Sequence, residues 1–111
     1  MKTAIVTGGT RGIGAAVTAR LRQDGWRVVP TARQAPAAAD PDFIACDVGD
    51  PTQVAALFAR IDRLDALVNC AGIAGTNALE GDDALWHAII NSNLHGTYHC
   101  CKAAVPTPCC G

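Results

Sequence analysis

The stretch Thr7-Gly8-Gly9-Thr10-Arg11-Gly12-Ile13-Gly14 constrains this chain more than any other. It follows a short apolar run, Thr3-Ala4-Ile5-Val6, and opens a segment of helical spacing over residues 13–24. A strand that ends in glycines and turns into a helix gathers backbone N–H groups at one point, at the positive end of the helix dipole. Such a turn suits a phosphate or pyrophosphate, and glycine lets the backbone come close to it. The pattern is not G-x-G-x-x-G, because Val17 stands where the third glycine belongs. It is T-G-x-x-x-G-x-G, on Thr7, Gly8, Gly12 and Gly14. The stretch is a nucleotide-binding turn.

The rest of the chain alternates strand and helix patterns, which predicts a parallel sheet with helices on its faces. Strands are expected at Thr3–Thr7, Arg27–Ala32, 43–47 and 66–70, the last as an apolar run buried on both faces. The first helix should bury Ile13, Val17 and Leu21 and stop near Asp24-Gly25. Residues 34–42, rich in Ala, Pro and Asp, should form a loop where a longer chain of this fold would carry a helix. Asp50-Pro51 is a cap followed by proline at the first helical position, and Val54, Leu57, Phe58 and Ile61 form one stripe. A last helix is expected from residue 82 or 83 to about 105, with Trp86, Ile90, Leu94, Cys101 and Val105 on one face. No internal repeat is visible. Residues 1–106 read as part of one domain and 107–111 as an irregular tail.

With 111 residues and 50% hydrophobic content, the chain has room for one small domain with a core. The net charge of −1 offers no case for nucleic acid or an anionic membrane, and no apolar run approaches a membrane span. The expected setting is cytoplasmic. The six cysteines (Cys46, Cys70, Cys100, Cys101, Cys109 and Cys110) lack the C-x-x-C spacing of zinc sites. Without a secretion signal a disulfide framework is not expected either, nor is a metal. Cys46 and Cys70 read as small hydrophobes in buried strands.

The chemistry falls at the carboxyl ends of the strands, where ligands bind in such sheets. Roughly 20 residues past the glycine loop, an acid would accept hydrogen bonds from the adenosine ribose and select NAD. This chain has Ala32-Arg33 there, and Arg11 within the loop is a second cation. Two guanidiniums and a missing acid favour NADP over NAD, because they can pair with a 2′-phosphate. Asp47 can accept from the adenine amino group while Val48 packs on the ring; Asp47 can equally serve the helix that follows. Ala71-Gly72 lets the chain pass close to a ribose, and Asn69 can bond across to neighbouring strand ends. Thr10, Arg11, Gly12 and Ile13 complete the loop with Gly8 and Gly14.

These motifs, taken together, resemble the short-chain dehydrogenase/reductase family. The chain has Thr7 to Gly14, Asp47-Val48, Asn69-Cys70-Ala71-Gly72 and Asn93-Leu94-His95-Gly96, in the family's order and at its spacing. Cys70 departs from the family's usual asparagine. The resemblance implies a Rossmann-like α/β fold, a doubly wound, three-layer parallel sheet. Here it would be incomplete, with the first four strands and their helices in the order 3-2-1-4. It implies hydride transfer between a nicotinamide and a small-molecule carbonyl or alcohol substrate, in a homo-oligomer. It also gives Asn93 a catalytic role, as the asparagine that holds a proton-relay water.

The family's serine and Tyr-x-x-x-Lys should follow a fifth strand, beyond the residues present. Tyr98 and Lys102 have the spacing, but Ser92 lies about 240° from Tyr98 on a regular helix, so the three cannot converge. Register with Asn-Leu-x-Gly instead gives Tyr98 the family's core-packing aromatic position. A missing fifth strand should leave the sheet edge and one face of the last helix bare, and the chain poorly stable alone. The expected function is thus that of a truncated NADP-preferring oxidoreductase. The alternative is a non-catalytic nucleotide-binding module acting with a partner chain.

Overall fold

The computed structural model describes residues 1–73, 81 and 83–109. Its sheet has four parallel strands: β1 (Thr3–Thr7), β2 (Arg27–Ala32), β3 (Ile44–Ala45) and β4 (Ala66–Asn69), ordered β3-β2-β1-β4 as expected. Among the described residues four α-helices accompany it: α1 (Gly12–Gln23), α2 (Pro51–Ala59), α3 (Asp83–Ile90) and α4 (Gly96–Ala104). The fold is a Rossmann-like α/β arrangement. β1 is paired on both sides and all five of its residues are buried, which is why its sequence is apolar without alternation.

Ile5 and Val29, opposite each other in register, face α2 and α4. There Val54, Leu57, Phe58 and Ile61 form the expected stripe, joined by Cys46, Val48, Leu64 and Cys100. Each large side chain of this cluster contributes on the order of 1.5–3 kcal/mol by leaving water. The α2 start is as its sequence predicts: the Asp50 carboxylate accepts from Thr52 N at 2.9 Å, with Pro51 at the first helical position.

Several expectations give way to the structure. Ile13 is 79% exposed, and the buried residues of α1 are Gly14 and Thr18, one position round the helix. Apolar spacing misled here because α1 lies close to the strands through small and hydroxyl-bearing residues; Thr18 Oγ1 donates to Gly9 O at 3.1 Å. β3 pairs with β2 only at Ile44 and Ala45, shorter than 43–47. A turn beginning at Asp47, whose Oδ1 accepts from Gly49 N at 3.0 Å, takes the chain off the sheet. β4 is half-buried rather than enclosed, since among the described residues it has β1 on one side and no strand on the other.

The expected last helix is interrupted by a π-helical turn, Asn91–His95. Gly96 and Cys100 face inward, and the predicted apolar face, with Trp86, Leu94 and Val105, is exposed. Tyr98 is 58% exposed, not core-packed, and the Lys102 ammonium lies 5.8 Å from its ring centroid. Cys46 is buried as expected, whereas Cys70, just past β4, is only half-buried. Residues 34–42 form a loop without helix. In the tail, Pro108 O accepts from Leu64 N at 2.7 Å, which ties residue 108 to the approach to β4. The expected helix start at residue 82 lies outside the described residues, as does Cys110.

Candidate cofactor site

The carboxyl edge of the sheet opens into one cleft. The glycine loop contributes Gly8 and Arg11, the end of β2 contributes Ala32 and Arg33, and the turn after β3 contributes Asp47 and Val48. Ala71, Gly72 and Ile73 follow from β4, and Ser92 from the π-helical turn. Arg11 and Arg33 also line an adjoining cavity of about 670 Å³, to which Thr10 and the loop after β2 contribute.

Backbone contact builds the inner half of this cleft. Gly8 has φ +61°, and a Cβ on it would stand 2.8 Å from Ala71 Cα and from Cys70 O. Only a residue without a side chain lets the loop lie this close to the end of β4. The Thr7 hydroxyl reinforces the junction: its oxygen accepts from Cys70 N at 3.2 Å and from Ala71 N at 3.1 Å. Gly14 backs the loop, since a Cβ there would overlap the Gly8 carbonyl oxygen. Gly12 differs. Its φ is +55° and open space surrounds its would-be Cβ, so the loop presents a bare backbone outward at this point.

The N-terminus of α1 carries no side-chain cap and no acid in its first turn. α2, by contrast, is capped by Asp50. The N–H groups of Gly12, Ile13 and Gly14 are thus left for an anion, with Arg11 at the helix start. Deeper in, Thr31 Oγ1 is a buried side-chain oxygen with no partner among the described residues. A buried hydroxyl left unpaired costs free energy, which a ligand polar group or water in the cleft would offset. The bare glycine loop, the uncapped helix and the orphaned hydroxyl all fit a dinucleotide.

Other expected site residues have different surroundings. Ile13 contributes its backbone, its side chain being exposed. Asp47 holds Gly49 N through Oδ1 while its own N–H donates to Gln53 Oε1 at 2.8 Å. Asn69 lies outside the cleft, with Nδ2 donating to Cys101 Sγ at 3.6 Å. Asn93 Oδ1 accepts from Ile73 N at 2.8 Å and its Nδ2 donates to Ile73 O at 3.0 Å, which pins the segment after β4. Its carbonyl accepts from Thr97 Oγ1 at 3.1 Å. Gly72 sits close against this side chain: a Cβ on it would meet Asn93 Oδ1 at 3.0 Å, and Asn93 would have to give by a few tenths of an ångström.

Sequence reasoning missed the Thr7 clamp, the Thr31 orphan and the arrival of Ser92 at the cleft. A threonine ending an apolar strand beside glycines was the available hint for Thr7. For Ser92 there was none, because the π-helical turn that presents it leaves no trace in residue spacing. Burial raises the Cys46 thiol to about 11, helped by Asp47, so it is a neutral wall of the cleft. Among the described residues no cluster of His, Cys, Asp or Glu could hold a metal ion, and no helix is long and apolar enough to cross a membrane.

A parallel sheet with a glycine loop opening α1 and ligand-facing strand ends defines a dinucleotide-binding domain. Residues 2–108 match the short chain dehydrogenase family, and the chain belongs to it. It is 37% identical to a 3beta-hydroxysteroid dehydrogenase of Mediterraneibacter gnavus, over 94% of this chain and 44% of that protein. Against a 3-oxoacyl-(acyl-carrier-protein) reductase of Staphylococcus aureus the identity is 31%, over 95% of this chain and 50% of that one. The ligand-free aldohexose dehydrogenase of Thermoplasma acidophilum superposes with a TM-score of 0.90 at 36% identity, over 96% of this chain and 44% of that one. An actinorhodin polyketide ketoreductase solved with NADPH gives a TM-score of 0.83 at 30% identity, over 96% and 47% respectively. The chain spans about half the length of the relatives it matches.

Proposed function

We propose that this chain is the cofactor-binding half of an NADP-preferring short-chain oxidoreductase. The observation that carries the reading is the pairing of Arg11 and Arg33 on one cavity, beside a β2 end that offers Ala32 instead of a carboxylate. When bound, the cofactor supplies hydride chemistry between its nicotinamide and a carbonyl or alcohol. The chain's own part is to bind and orient. The α1 N-terminus and loop glycines receive the pyrophosphate, Asp47 and Val48 the adenine, and Ala71-Gly72 the ribose. Asn93 fixes Ile73 on the substrate side. The serine and Tyr-x-x-x-Lys of the family belong to the remainder of such an enzyme, since Tyr98 is exposed and does not line the cleft that Ser92 lines. The five cysteines described are free thiols, which suits a reducing, cytoplasmic setting.

Titration with NADP and NAD tests the reading. Charge-assisted bonds to the extra phosphate should favour NADP by tenfold or more, roughly 1.5–3 kcal/mol. Tighter binding of NAD overturns it. The alternative, a non-catalytic module with a partner chain, is favoured by the exposed apolar face of α3 and α4. Reading the coding DNA around Pro106 in all frames separates the two. A Ser followed by Tyr-x-x-x-Lys supports the oxidoreductase, and an intact context with a true stop supports the module.

A further inference from the structure

The loop that lines the cation-bearing cavity has little to hold it. Residues 35–39 are Ala-Pro-Ala-Ala-Ala, too small to bury much surface, and the loop contains neither helix nor strand. Its described hydrogen bonds gather at the far end. There the Asp40 carboxylate takes Arg22 Nη1 at 2.8 Å and Nη2 at 3.1 Å, as well as Asp42 N at 3.0 Å. Arg22 Nη2 also donates to Val28 O at 3.2 Å and stands 3.8 Å from Asp42 Oδ2. The guanidinium thus ties α1, β2 and the loop together in one fork. Asp40 is held below its ordinary carboxylate range chiefly by this bond. Between clasp and cleft, Pro36, Ala38 and Ala39 face Ala15 and Ala19 of α1 across an open groove.

We infer that Arg22, which does not line the cation-lined cavity, is a positioning residue for cofactor preference: its clasp on Asp40 holds the loop that seats Arg33 opposite Arg11. The inference rests on the NADP reading above. A ligand without the 2′-phosphate does not need Arg33 in place, whereas one that carries it does. Loss of the clasp lets the loop sample positions in which the cavity lacks its second cation, and apparent affinity falls with the competent fraction.

The test compares two probes that differ only in the 2′-phosphate, adenosine 2′,5′-bisphosphate and adenosine 5′-monophosphate, by calorimetric titration of the full chain. Arg22→Ala and Asp40→Asn should each lower the preference for the bisphosphate by about fivefold, the factor an exposed bidentate pair can supply. Affinity for the monophosphate should not change. Arg20→Ala removes the same charge from the same helix, where among the described residues it pairs with Asp24 at 3.1 Å, and should leave the preference intact. Restored preference in the exchanged pair Arg22→Asp with Asp40→Arg would confirm the clasp. Unaltered preference in both single variants overturns the inference while leaving the NADP reading standing, and an equal loss for both probes reduces Arg22 to a structural role and overturns it too. A wild-type chain with no preference overturns both.

Discussion

Gly14→Ala sets two opposed effects against each other. Gly14 is the third residue of α1, where alanine's helix propensity would favour the variant by up to about 1 kcal/mol. Against this, the added Cβ overlaps the Gly8 carbonyl oxygen, and it would lie 2.7 Å from the Gly8 carbonyl carbon and 3.1 Å from Gly9 Cα. All three neighbours are backbone, so no side chain can rotate away. Relief requires moving the loop off the helix, and the loop is itself pressed on Ala71. Overpacking of this kind costs about 1–3 kcal/mol, and here it falls at the upper end because two backbones must part. The net expectation is a loss of about 2 kcal/mol with impaired cofactor binding. Gly25→Ala is the comparison, since Gly25 has φ +90° and open space around it, so its cost is conformational and leaves the cleft alone. Denaturant titration measures stability, and NADP titration measures binding. A Gly14→Ala protein as stable as wild type, with unchanged affinity, would refute the packing argument.

Other substitutions probe separate parts of the structure. Thr7→Val keeps the shape but leaves Ala71 N without its bond, at a cost of about 1–2 kcal/mol seen in denaturant melts; Thr7→Ser should recover most of it. Asp50→Ala removes the α2 cap and should lower stability by about 1 kcal/mol, with cofactor affinity unchanged. Burial raises the Cys100 thiol from 9.0 to about 12. A group whose pKa is raised on folding stabilises the fold fully below its unfolded value and loses that contribution as pH climbs toward the folded one. Stability should therefore fall between about pH 9 and pH 12, and Cys100→Ala should flatten that fall. At neutral pH a maleimide should label exposed Cys101 and Cys109 and spare buried Cys46 and Cys100; rapid labelling of Cys100 would contradict its burial.

Where function depends on backbone, the sequence was legible. Gly8 and Gly14 announce a tight turn because a Cβ on either would strike backbone, Gly12 because its φ of +55° favours glycine, and Asp50-Pro51 announces a helix start for a similar local reason. The strand order followed from alternation and from the family pattern. Burial on α1 was not legible, because its inward face is made by Gly14 and Thr18, which hydrophobic spacing ignores. The length of β3 escaped for another reason: Asp47 turns the chain by a side-chain bond to Gly49 N that competes with the ladder. The turn at Asn91–His95 depends on one extra residue per helical turn, which residue identity does not encode.

The contact between Gly8 and Ala71 has a bearing on how this binding edge can change. Where two main chains touch, no smaller residue is left to substitute and any larger one forces them apart. That side of the cleft is closed to variation by geometry alone. The opposite side, the small-residue loop behind Arg33, has room for other side chains and is fastened by a surface ion pair. Change along this edge is therefore channelled into one short loop, while the glycine turn stays fixed.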